Sequence, residues 1–174
     1  MFKIMARVAS VAMAVVWASA PAFATDLGGS VDTGILLQHA ADAKFISVPG
    51  VPDCTTLAPL RGDMGKSAST LMVRMAPGCL VPFHWHTPSE EIVVLQGLPY
   101  AQMLGQRPYY LKVGSYSQLP THHIHRFKCV SKSACLMFLV ADGPFDIHFV
   151  DEKGGEISTE AALSAAKNSD VAKW

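Results

Sequence analysis

The residues best suited to chemistry in this sequence are His84, His86 and Glu90, two histidines one residue apart with a glutamate four positions later. On a β-strand, residues one apart send their side chains out by the same face. Thr87, Pro88 and Ser89 separate the histidines from the glutamate and read as a turn. Two imidazoles and a carboxylate directed into one space suit a first-row transition metal. Nothing in the group names a substrate.

These three need elements to aim them. Residues 81–86 are expected to form a strand, and residues 90–96 its return strand, ending at Gly97. A further imidazole is offered by residues 124–130. There, His125, Phe127 and Cys129 share one face, and Arg126 and Lys128 share the other. Two charges in phase are expected on the solvent side, which turns His125 inward. Other strands are expected at residues 35–37, 45–48, 55–60, 70–75, 100–104, 109–113, 115–119, 136–141 and 146–150, with one helical turn at 40–44. Short strands divided by Gly and Pro describe a mostly β chain. A surface helix over residues 160–167 is expected after Gly154 and Gly155, capped by Ser158 or Thr159, with Leu163 as its main apolar contact.

The spacing Gly78, five residues, His84, one, His86, three, Glu90, six, Gly97 resembles the first motif of the cupin superfamily. Gly114, five residues, Pro120, then His125 resembles the second. The resemblance implies an all-β, antiparallel jelly-roll barrel with a short C-terminal helix outside it. It also implies one divalent metal ion (Fe, Mn, Ni, Cu or Zn) held by His84, His86, Glu90 and His125. The spacing to Gly97 favours Glu90 over its neighbour Glu91, and alternation sends the two opposite ways. Two positions depart from the pattern. His122 stands where Gly is usual, so a strained turn is expected at the pocket rim. Cys129 stands where Asn is usual. Pro52-Asp53-Cys54, Gly78-Cys79 and the segment from Asp142 to Asp151 look like a group of exported bacterial cupins of undefined activity.

The chain has 174 residues, with 14 basic and 14 acidic, enough for one domain with a sizeable core. Balanced charge without a basic cluster gives no reason to expect nucleic acid as a partner. Lys3 and Arg7 precede an apolar run over residues 8–20, and Ala22 and Ala24 stand at the small-residue positions of a cleavage site. This reads as a secretory signal over residues 1–24, because the run is shorter than the ~20 residues a membrane span needs. No membrane partner is then expected after cleavage. The remaining layout is an N-terminal segment over 25–44, the cupin domain over 45–151 and a tail with a helix over 152–174. A periplasmic or secreted location favours disulfides among Cys54, Cys79, Cys129 and Cys135. Cys129 and Cys135 flank a short turn and are expected to bridge as opposed residues of a hairpin, which leaves Cys54 with Cys79. Four reduced, buried thiols are the competing reading.

Function divides two ways. Open coordination positions in a barrel favour a metal-dependent, oxygenase-type enzyme acting on a small molecule. By proximity alone, His122, His123 and Glu91 are its candidate general bases. The alternative is a non-catalytic cupin that binds or senses a metal or small ligand. A purely structural role is costly, because buried histidines and a glutamate would each need hydrogen-bond partners. A homodimer is expected, since many cupin barrels pair edge to edge.

Overall fold

Strand alternation is clearest in Cys135–Ala141, where Cys135, Met137, Leu139 and Ala141 are buried and the residues between them are not. That strand sits at the centre of one of two five-stranded sheets in this computed structural model, which describes residues 38–168. In chain order the strands are β1 (Thr55–Arg61), β2 (Ser69–Met75), β3 (Leu80–Trp85), β4 (Glu90–Gln96) and β5 (Pro99–Met103). They continue as β6 (Tyr109–Tyr110), β7 (Tyr116–Leu119), β8 (His125–Cys129), β9 (Cys135–Ala141) and β10 (His148–Phe149), followed by the helix α1 (Thr159–Asn168). One sheet has the order β1-β2-β9-β4-β7 and the other β10-β3-β8-β5-β6. Every pairing is antiparallel. Two such sheets with apolar inner faces form the jelly roll. The core includes Leu57, Leu71, Met75, Val94, Phe127, Met137 and Leu139.

The chain crosses between sheets at the turn following β3, and again between β8 and β9. Consequently β3 and β4 are not a hairpin, and neither are β8 and β9. The expected return strand exists, but it pairs with β7 and β9. Both cysteine bridges are present, Cys54–Cys79 and Cys129–Cys135. The second joins opposite sheets and does not link opposed residues of one ladder.

Other expectations shift for physical reasons. Residues 45–48 make only an isolated bridge, Ile46 to Leu57, so no full strand forms there. The helical turn at Ala40–Asp42 is a single 3₁₀ turn. Strand pairing near the end of the barrel is confined to His148–Phe149, because residues 142–147 cross the barrel end as a strap. Arg126 and Lys128 are buried, not solvated. Arg126 lies over the Phe83 ring, donates to Gln102 Oε1 at 2.8 Å and meets Glu152 at 3.1 Å. Alternation identifies the outer face of β8 correctly, and Phe83 and Glu152 cover Arg126 on that face. The helix α1 packs through Ala162, which is more deeply buried than Leu163. Ser158 caps it, its Oγ accepting from the Ala161 N–H at 3.2 Å. Residues 1–24 and 35–37, where a secretory signal and a first strand are expected, lie outside the described residues. No described helix is long and apolar enough to cross a membrane.

Candidate metal centre

β3 and β8 are neighbours in one sheet, and their register places His84 directly opposite His125. The ring centroids are 4.3 Å apart. A register shift between Val81 and His84 marks a bulge that accommodates Pro82, a residue a regular central strand excludes. The bulge also presents the Pro82 carbonyl to His84 Nδ1, at 2.6 Å. His86 follows β3, and Glu90 opens β4 in the opposite sheet. The centre is thus built from both layers.

Each histidine is oriented from behind. His84 Nδ1 bonds the Pro82 carbonyl, His125 Nδ1 bonds the His123 carbonyl at 2.7 Å, and His86 Nδ1 bonds the Asp146 carbonyl. A carbonyl only accepts, so each Nδ1 carries the proton and each Nε2 presents a lone pair. The three imidazoles offer ligand atoms within 4.8 Å of one another. Glu90 lies beside them, with Oε1 3.6 Å from His86 Nε2 and Oε2 4.0 Å from His125 Nε2. All four residues are buried, at 2–5% exposure. His125 Nε2 is buried without a hydrogen-bond partner, the orphaned atom expected of a ligand. The residues therefore fit a metal ion, and imidazole held from behind by carbonyls is the usual ligand arrangement.

Electrostatics agrees. Burial, and then the neighbouring imidazoles, hold His84 well below the ordinary histidine range. Burial and nearby His86 bring His125 down to about 3. Burial raises Glu90, against the pull of His86. For His84 and His125 the neutral imidazole that coordination requires is the favoured form.

The four residues face a cavity of about 60 Å³, otherwise lined by apolar side chains such as Leu57, Val73, Ile92, Phe127, Phe145 and Ile147, together with Thr55. Glu91, His122 and His123 do not line it. Glu91 is exposed on the outer side of β4. His123 is exposed and reaches the centre only through its carbonyl. His122 adopts φ 59°, the left-handed turn that a departure from Gly implies, and its ring lies 4.6 Å from Trp85. His148 stacks on Trp85 at 3.9 Å. Trp85 is therefore flanked by two imidazoles outside the barrel. His39 is exposed, as are Tyr109 and Tyr110. A larger groove of about 670 Å³ runs past both disulfides and the last turn of α1, and none of the four centre residues lines it.

Sequence reasoning misses the Pro82, His123 and Asp146 carbonyls, because backbone acceptors carry no residue signature. Pro82 inside a strand is the one available clue.

The family model described as the ChrR cupin-like domain matches residues 34–146. No curated protein matches the sequence. Among solved structures, the polyketide cyclase RemF from Streptomyces resistomycificus is 23% identical, with a TM-score of 0.56 over 74% of this chain and 98% of that one. A protein of unknown function with a cupin-like fold from Ralstonia eutropha is 18% identical, with a TM-score of 0.57 over 79% of this chain and 87% of that one. The DMSP lyase DddQ from Ruegeria pomeroyi is 24% identical, with a TM-score of 0.50 over 59% of this chain. This chain spans 57% of the DddQ chain, less than two thirds of its length. Likeness at these identities concerns the fold alone.

Proposed function

Because the chain belongs to the ChrR cupin-like family, we propose that it is an exported cupin holding one divalent transition metal through His84, His86, Glu90 and His125, and that it acts as an oxygenase-type enzyme on a small molecule. One observation carries the reading: three Nδ1 atoms are committed to backbone carbonyls, so three Nε2 atoms turn into one buried space beside a carboxylate. When bound, Fe, Mn, Ni, Cu or Zn would supply Lewis-acid chemistry, and for the redox-active ions electron transfer, at positions the four side chains leave open. The chain's own part is to hold the imidazoles neutral, to place one negative charge beside them, and to exclude bulk water with an apolar lining. Two of the similar structures are enzymes, a polyketide cyclase and a DMSP lyase, so the fold is compatible with catalysis.

The second reading, a cupin that binds or senses a metal or small ligand without turnover, is favoured by the lining. Among the described residues, the four are the only titratable side chains that line the cavity. The two readings part on one experiment. Protein loaded with each metal is offered small carbonyl, phenolic and thiol compounds while oxygen uptake is followed. Metal-dependent uptake with product formation supports the enzyme; tight ligand retention without turnover supports the binder. The same reading places the protein in an oxidising compartment, consistent with its two disulfides, and expects a homodimer, which light scattering checks.

A further inference from the structure

Residues 142–147 leave β9 in one sheet, cross the end of the barrel and enter β10 in the other. Phe145 and Ile147 hang from this strap into the metal cavity. The Phe145 ring centroid lies 5.3 Å from that of His86. Ile147 meets the turn at Gly50, where an added Cβ would lie 3.7 Å from Ile147 Cγ2. The cavity, about 60 Å³, is far below the ~300 Å³ at which pockets for organic ligands begin. It has room for an ion and a few water-sized groups.

The strap is tied along its length: the Asp142 N–H donates to the Ser89 carbonyl at 3.3 Å, and Asp146 Oδ2 lies 3.3 Å from His148 Nε2. Asp142 accepts from Ser89 N–H at 2.8 Å and from Ser89 Oγ at 2.6 Å. Asp146 Oδ1 accepts from Thr87 N–H at 2.8 Å. The Phe145 N–H donates to the Met64 carbonyl at 2.6 Å. The two carboxylate contacts are at the surface, where water competes for them. A segment without ladder pairing of its own, whose side-chain ties to the Thr87–Ser89 turn are exposed, is the kind that opens locally. The carbonyl that orients His86 belongs to Asp146 on this same strap.

We propose that the strap is the lid of the metal cavity. Shut, it restricts the centre to diatomic or linear triatomic ligands through Phe145 and Ile147. The Asp142–Ser89 contact is its latch, and opening it also releases the bond that aims His86. An organic substrate would reach the centre only with the lid open. The inference rests on the metal site proposed above and names the class of ligand which that site takes.

The test uses the cobalt(II)-loaded protein, followed by the ion's visible absorption. Wild type should respond to azide and not to imidazole. Phe145→Ala should respond to both, with imidazole binding tightened about tenfold or more. Ile147→Ala supplies a second, smaller enlargement should Phe145→Ala fail to fold. Asp142→Asn and Ser89→Ala should release cobalt to excess EDTA about tenfold faster than wild type. Wild type that takes imidazole as readily as azide, or latch variants that release cobalt at the wild-type rate, would overturn the lid while leaving the metal site standing. Failure of the wild type to take up cobalt would overturn both.

Discussion

At the scale of single residues, the centre depends on protons held in the right places. Three backbone carbonyls fix three imidazole tautomers, and burial keeps His84 and His125 neutral. In an unfolded chain the same imidazoles take a proton near pH 6.5. The unfolded state therefore binds more protons as pH falls from about 6.5 toward 3, and metal-free protein should lose stability across that range. Glu90 carries the opposite sign, because its raised affinity for a proton favours the folded state in acid. The net loss should be about 1 kcal/mol per pH unit. Urea denaturation of metal-free protein at pH 7, 6 and 5 checks this, and a flat profile would contradict it. Glu90→Gln keeps the shape of the side chain and removes its charge. It should weaken divalent-metal affinity about tenfold or more, as read by competition with a chelator, with little change in the far-ultraviolet circular dichroism.

Turns and strands decide where those residues stand. Gly97 ends β4 at φ 82°, and a Cβ there would lie 2.9 Å from the Ala134 carbonyl oxygen, from Cys135 Cα and from Cys135 Sγ. Gly97→Ala should therefore cost about 1–3 kcal/mol in urea denaturation, through both the positive φ and the clash. A change within a few tenths of a kcal/mol would show that the turn can move. Much of this level is legible in the sequence. The two-residue period puts His84 and His86 on one face, turns His125 inward and sends Glu90 and Glu91 opposite ways, and the motif spacing to Gly97 is what selects Glu90. What a period cannot tell is which sheet a strand joins, so β3 with β4, and β8 with β9, read as hairpins although each pair divides between the layers. Nor can it tell what covers an outer face. Arg126 and Lys128 read as solvated, yet both are buried, Arg126 between the Phe83 ring and Glu152, which reaches back to it. The strap over residues 142–147 escapes the same reading, since its role rests on carboxylates meeting a turn more than fifty positions earlier.

The described residues form two sheets with the candidate metal cavity between them, and two disulfides, of which Cys129–Cys135 joins one sheet to the other. Cys54 and Cys79 are 25 positions apart, Cys129 and Cys135 only 6. On loop entropy, losing the first bridge should cost about 3.5 kcal/mol and the second about 2 kcal/mol. Denaturation of Cys54→Ser/Cys79→Ser against Cys129→Ser/Cys135→Ser checks the order, and a reversal would point to enthalpic terms. The proposed function turns on whether the four buried side chains hold an ion. Metal content by mass spectrometry, measured on wild type and on His84→Ala/His86→Ala after equal exposure to divalent ions, tests that most directly. One tightly held transition-metal ion per wild-type chain, and none in the variant, is the expected result. A wild-type chain without metal, or a variant as fully loaded as wild type, would contradict it.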